Sequence, residues 1–224
     1  MVELSIWYGL GAGLLLVGTV TFVAFAALRN DLGSSYYSLP PLQSVFGAVS
    51  YAVLALAALG EVTWVPPAVL RYLAVFLTLP VAIYYLGLLG GVSAERSVTA
   101  VSLAMVVVVA AYLTTVTAGR LRLGLAVLSG VMLLALLRTI VRSFAPPDTE
   151  SSLFLSLRDL TVAALLVYPA AYLLGPAGAG YLVAADLGFV QLVVHVAFSL
   201  GFLVLVVART YELEAATGGA ATPG

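Results

Sequence analysis

Gln191, His195 and Ser199 follow one another at intervals of four residues. On a helix that spacing stacks the three side chains on one face. His195 is the only histidine in the 224-residue chain. An imidazole titrates near neutrality and can serve as a proton-responsive switch, or it can sit neutral and hydrogen-bonded in a core. The sequence pattern brings no carboxylate beside it, which favours the second role. Ser199, one turn further on, is within reach of a hydrogen bond to His195. A serine–histidine pair becomes a nucleophile only with an orienting acid and an oxyanion site. Neither has a candidate here, so the pair reads as a hydrogen bond and the chain as no enzyme. Cysteine is absent, which excludes disulfides, thiolate metal sites and thiol catalysis. All nine basic residues are arginines, so apart from its amino terminus the chain holds no primary amine.

The elements that carry these residues are apolar. Hydrophobic residues make up 63% of the chain and charged residues 8%. Soluble domains have about 45–50% and 25%, and 8% cannot cover a soluble surface. The reading is a polytopic all-α membrane protein. A net charge of −1 without a basic run gives no support for a nucleic-acid partner. Seven stretches are long enough to cross about 30 Å of hydrocarbon. They run over about 6–28, 42–60, 68–89, 98–117, 123–141, 157–174 and 182–208. Residues 1–211 then form one seven-helix domain, and 212–224, small and aperiodic, a disordered cytoplasmic tail. The first stretch, acidic at Glu3 and without a basic leader, reads as a retained span. With the N-terminus outside, six arginines (29, 96, 138, 142, 158 and 209) lie at cytoplasmic ends and three (71, 120 and 122) at outer ends. The positive-inside rule therefore orients the chain N-out, C-in, in the cell membrane.

Polar residues inside a membrane are costly and are default functional candidates. None of the ten carboxylates falls near a helix centre, which argues against a proton pump. Arg71 lies about one turn inside helix three, where it can snorkel outward or act as an internal anchor. Prolines 80 and 169 interrupt helices three and six. Thr78 is placed to satisfy backbone freed by Pro80. Tyr168 and Tyr172 share a face of helix six. Gly9-x-x-x-Gly13 permits close helix contact in helix one. The candidate interior cluster is Arg71, Thr78, Tyr168, Tyr172, Gln191, His195 and Ser199, with no metal site.

Longer strings carry a family resemblance. Helix three reads Arg71-Tyr72-Leu73-Ala74-Val75-Phe76-Leu77-Thr78-Leu79-Pro80, then Ile83-Tyr84-Tyr85-Leu86-Gly87. Helix six reads Leu157-Arg158-Asp159-Leu160-Thr161, then Tyr168-Pro169 and Leu173-Leu174-Gly175-Pro176, and helix seven contains Leu200-Gly201-Phe202. The chain resembles the archaeal microbial rhodopsins, and sensory rhodopsin II in particular, over nearly its whole length. The resemblance implies seven antiparallel helices around an internal retinal, with the N-terminus outside. It also exposes departures. The lysine that holds retinal falls on Ser199. The two counter-ion aspartates fall on Ala74 and His195, and three retinal-packing tryptophans fall on Val75, Leu165 and Tyr172. Phe198 replaces a signalling threonine whose partner matches Tyr168, and Val193 replaces a tyrosine at the transducer interface. Tyr85 replaces the carboxylate donor of the pumps. Arg71 matches the family's helix-three arginine and, without its aspartates, is expected to meet Asp186 or Glu61.

A Schiff base requires an amine, so no covalent cofactor is expected. The first reading is a non-photoactive signalling or membrane-interaction protein derived from a sensory rhodopsin. Its partners would be the bilayer, a transmembrane transducer-like protein along helices six and seven, and further copies of itself. The alternative is a receptor or carrier that holds retinal or another apolar ligand non-covalently. An ion or proton transporter with residues 191, 195 and 199 as its polar track comes third. An interior filled by side chains would favour the first, an apolar cavity beside Ser199 the second, and a continuous polar path the third.

Overall fold

The computed structural model describes residues 2–29, 34–144, 151–176 and 178–216. Eight helices occupy them: α1 (Val2–Leu28), α2 (Ser35–Leu59), α3 (Pro67–Leu89), α4 (Ala94–Val116), α5 (Gly119–Ser143), α6 (Ser152–Leu174), α7 (Ala184–Ala208) and α8 (Thr210–Ala216). The first seven are long and apolar enough to cross a membrane. Sequential helices pack side by side except α5 and α6, which barely meet; α7 closes the ring against α1 and α2, while α3 and α6 meet across the middle. The fold is an all-α bundle of seven membrane-spanning helices.

Local chemistry sets the helix ends. α3 starts with Pro67 at its first position, where no N–H is needed. α2 ends at Gly60, whose φ of 86° lets its N–H reach the Ala57 carbonyl and that of Glu61 the Leu56 carbonyl. α2 starts seven residues earlier than the apolar run suggests, because Pro40 and Pro41 lie inside it. Pro40 cannot donate to the Tyr36 carbonyl. The buried Tyr85 hydroxyl of α3 donates to that carbonyl instead, at 3.1 Å. Tyr85 thus has a structural task at the position where the pumps place their carboxylate.

Three expectations are corrected. Gly9 and Gly13 face open space, whereas Gly11 and Gly18 form the close contact with α7, against Leu192 and Leu200. Thr78 donates to the Ala74 carbonyl at 2.8 Å, one turn back, and not to the Phe76 carbonyl that Pro80 leaves free. Residues 212–216, assigned above to a disordered tail, continue the helical α8, and 217–224 lie outside the described residues. The turn at Ala145-Pro146-Pro147-Asp148 is also outside them.

α8 is held by its own side chain. The Glu212 carboxylate accepts from the Ser151 hydroxyl (2.9 Å), the Leu153 N–H (2.8 Å), the Tyr211 hydroxyl (3.1 Å) and the Ser152 hydroxyl. It thereby caps the first turn of α6, where a negative charge is favoured. Partial burial by itself would raise this carboxyl, but the hydrogen bonds from Ser152, Leu153, Ser151 and Tyr211 outweigh it and bring it down from 4.5 to about 2. A depressed folded value means the clamp contributes fully above the unfolded value and is lost as pH falls through about 2. Water around the carboxylate keeps that contribution small. Exchange of the Leu153 amide, corrected for intrinsic rates, is expected to stay constant from about pH 7 to 5 and to accelerate below. Glu212→Ala removes the dependence. A native chain with no acid-side acceleration would contradict the clamp.

Candidate functional site

One half of the bundle interior is solid. Around the end where α1 finishes, Phe22, Ile83, Tyr85, Leu86, Phe144, Phe154 and Phe202 are fully buried in one continuous core. A smaller core of Tyr8, Leu15, Tyr51, Leu54, Leu70 and Leu192 joins α1, α2, α3 and α7. Between α3 and α7 the packing opens into a cavity of about 260 Å³. Its wall is largely apolar: Val75 and Leu79 from α3, Val107, Val108 and Ala111 from α4, Ala126, Gly130 and Leu133 from α5, Ala164 and Leu165 from α6, and Phe198 from α7.

Six of the seven residues singled out in the sequence line this cavity: Arg71, Thr78, Tyr168, Tyr172, Gln191 and His195. Ser199 does not. It is fully buried behind the wall, and its hydroxyl makes no hydrogen bond within the protein. Ala74 is likewise buried off the lining. The expected His195–Ser199 hydrogen bond is absent as well. The Tyr168 hydroxyl lies 3.1 Å from His195 Nδ1 and takes that position. His195 Nε2 faces Gly47 of α2, where a Cβ would come within 2.8 Å of it. The Tyr51 ring meets the imidazole edge-on at 5.2 Å, and its hydroxyl donates to the Gln191 carbonyl at 3.3 Å. The imidazole is therefore wedged between α2 and α6.

Most polar groups of the wall are already bonded. Thr78 is turned onto its own helix, and Ser129 donates to the Val107 carbonyl at 3.1 Å, joining α5 to α4. Thr114 reaches the Ala111 carbonyl at 2.6 Å and lies 2.9 Å from the Tyr172 hydroxyl, joining α4 to α6. Gln191 Oε1 is buried without a partner. Among the described residues, Arg71 forms an ion pair with neither Asp186 nor Glu61, contrary to expectation. The wall is thus a largely apolar container whose polar groups are mostly bonded to neighbouring helices.

Sequence reasoning missed the contributions of α4 and α5, because Val107, Ala111, Ala126 and Gly130 look like residues facing lipid. It also missed Tyr51 and Gly47. The signal for Gly47 would have been a glycine inside a long helix. Val75 and Leu165, which fall where the family places packing tryptophans, were found, and both line the cavity.

A family model described as bacteriorhodopsin-like protein matches residues 3–211. Sensory rhodopsin III of Haloarcula marismortui is 34% identical over 220 residues, covering 96% of this chain and 95% of that protein. Sensory rhodopsin-2 of Natronomonas pharaonis is 35% identical over 235 residues, covering 96% and 93%. Among solved structures, thermophilic rhodopsin from Rubrobacter xylanophilus superposes with a TM-score of 0.80 at 22% identity, over 96% of this chain and all of that one (100%). This last likeness is one of fold. Seven spanning helices, a cavity inside them and relatives matched from end to end lead to one conclusion: the chain belongs to the bacteriorhodopsin-like family, the microbial rhodopsins, with sensory rhodopsins among its homologues.

Proposed function

We propose that this protein is a non-photoactive member of its family, a membrane receptor that holds an apolar ligand non-covalently. The observation that carries the reading is a cavity of about 260 Å³ with a largely apolar wall, in a chain that contains no lysine. A retinal linked through a Schiff base does not fit these residues, since Ser199 offers a hydroxyl where an amine is needed. An apolar body does fit: a dry cavity of about 150 Å³ already admits benzene. Loss of the lysine together with the carboxylates at positions 74 and 195 is electrostatically coherent, because a buried carboxylate without its cation is costly.

An open cavity favours the ligand-binding reading over that of a scaffold with a filled interior. It also counts against a transporter. The stripe at 191, 195 and 199 runs into the solid core at Phe202 and Leu203, and among the described residues no carboxylate lines the cavity. The receptor would sit in the cell membrane with its N-terminus outside and its C-terminus cytoplasmic, the orientation favoured by the arginines. It would pass its state to a transmembrane partner along α6 and α7, which Glu212 holds together at one end. The likeness to sensory rhodopsins supports that choice of surface. Self-association remains part of the reading through family likeness alone.

The experiment is reconstitution with all-trans retinal in mild detergent, followed by gel filtration, an absorption spectrum and solvent extraction. The expected result is retained, fully extractable retinal absorbing near the free chromophore, with no red-shifted band. A red-shifted band that bleaches with hydroxylamine would overturn the non-covalent reading. Retention of neither retinal nor any co-purified apolar molecule would return the protein to the ligand-free signalling reading.

A further inference from the structure

Among the described residues, Arg71 is the one cation on the cavity wall, and it is part-buried. Its guanidinium makes no hydrogen bond and no ion pair with any described residue. Its Nη1 lies over Gly188 of α7, where an added Cβ would come within 3.2 Å of it and within 2.6 Å of the Tyr8 hydroxyl. That hydroxyl is buried and also without a partner. Gln191, three residues along the same helix, presents a buried amide oxygen with none. The hydroxyls of Thr78, Thr114, Ser129, Tyr168 and Tyr172 are all spent on neighbouring protein groups. Of the polar groups left over, Arg71, Gln191 and the Tyr8 hydroxyl beside Gly188 form a group around a positive charge, while His195 Nε2 is turned away against Gly47. A guanidinium beside an apolar wall is best satisfied by a planar anion that takes two of its N–H groups at once.

The opposite side offers an entrance. α5 packs on α4 but barely touches α6. Its only buried residues, Leu136 and Ile140, lie in its second half. Its first half supplies Ala126, Ser129 and Gly130 to the wall, and a Cβ at Gly130 would meet nothing within 4 Å. A molecule dissolved in the bilayer can pass between α5 and α6 without crossing water. By the benzene scale, the enclosed space of about 260 Å³ takes the polar end and the first ten or so carbons of one chain and not two, and the remainder of a longer chain such as a retinoid lies in the gap between α5 and α6.

We propose that the ligand is a single-chain apolar carboxylate, which enters from the bilayer between α5 and α6 and pairs its carboxylate with Arg71. This rests on the non-covalent reading above and gives it a ligand class. The test compares all-trans retinoic acid with all-trans retinol, which share one carbon skeleton and differ at the polar end. Each is equilibrated with the detergent-purified protein and measured by absorbance after gel filtration against empty micelles. The acid is expected to bind at least about tenfold tighter, the range of one charge-assisted bond. Arg71→Gln brings the acid down to the level of the alcohol, and Arg71→Lys restores most of the difference. Equal binding of acid and alcohol by the native chain overturns the assignment without calling on any variant. So does an acid affinity that Arg71→Gln leaves unchanged. In both cases the cavity still binds a ligand and the receptor reading stands. Binding of neither compound overturns that reading as well.

Discussion

With retinal supplied, the double variant S199K/A74D is expected to gain a visible absorption band that the native chain lacks. Ser199 is buried immediately behind the wall formed by His195 and Phe198. A lysine there has a four-carbon stem, long enough to bring its amine past the wall and into the cavity. A buried amine loses its proton readily and becomes nucleophilic towards an aldehyde. The Schiff base that forms is protonated only if an anion faces it. Ala74, buried on α3, is where the resemblance to the family places that anion. S199K alone should therefore attach retinal without the red shift. A74D alone should give no band, because it supplies no amine for the aldehyde. The two changes are strongly non-additive by this account, and the spectrum reports it directly. If S199K/A74D forms no adduct at all, the loss of the lysine was accompanied by remodelling that closes the path from position 199 to the cavity.

The second large effect is loss of ligand on filling the cavity. Ala164 of α6 is buried and lines it. In Ala164→Phe a phenyl ring enters a space of about 260 Å³, and benzene alone fills a site of about 150 Å³. The remainder is too small for a ligand body. The retained ligand per protein is expected to fall at least about tenfold. Stability should change little. Filling roughly 100 Å³ of void recovers about 2 kcal/mol on the cavity scale, and imperfect fit takes back about 1–3 kcal/mol. A melting temperature near that of the native chain, together with lost binding, separates an occupied cavity from an unfolded bundle. Undiminished binding in Ala164→Phe would place the ligand somewhere else.

The helices were legible because a spanning segment must be continuously apolar, and the arginines, prolines and glycines punctuate those runs. What a local pattern cannot show is a bond made across the bundle. Pro40 and Pro41 look like a break in the sequence, yet α2 passes through them because Tyr85, 45 residues beyond Pro40, takes over a carbonyl that Pro40 leaves free. Glu212 looks like the start of a tail, yet it caps a helix 59 residues earlier in the chain. The candidate site was legible where polar residues interrupt apolar helices, so Arg71, Tyr168, Gln191 and His195 were found. Spacing placed Ser199 with His195. The imidazole instead turns to Tyr168, because Nδ1 meets the phenol of α6 and the ring is confined by Tyr51 and Gly47. The apolar wall on α4 and α5 had no signal, since a valine facing a cavity and a valine facing lipid are the same residue in a sequence.

The central claim is that the cavity holds a small apolar molecule without a covalent bond. Native mass spectrometry of the protein, purified in mild detergent and released from its micelle, tests it most directly. The account predicts a one-to-one complex with a molecule of a few hundred daltons, which denaturing solvent removes completely to leave the mass of the chain itself. An adduct that survives denaturation, or a chain that carries no such molecule even after incubation with retinoids, would contradict it.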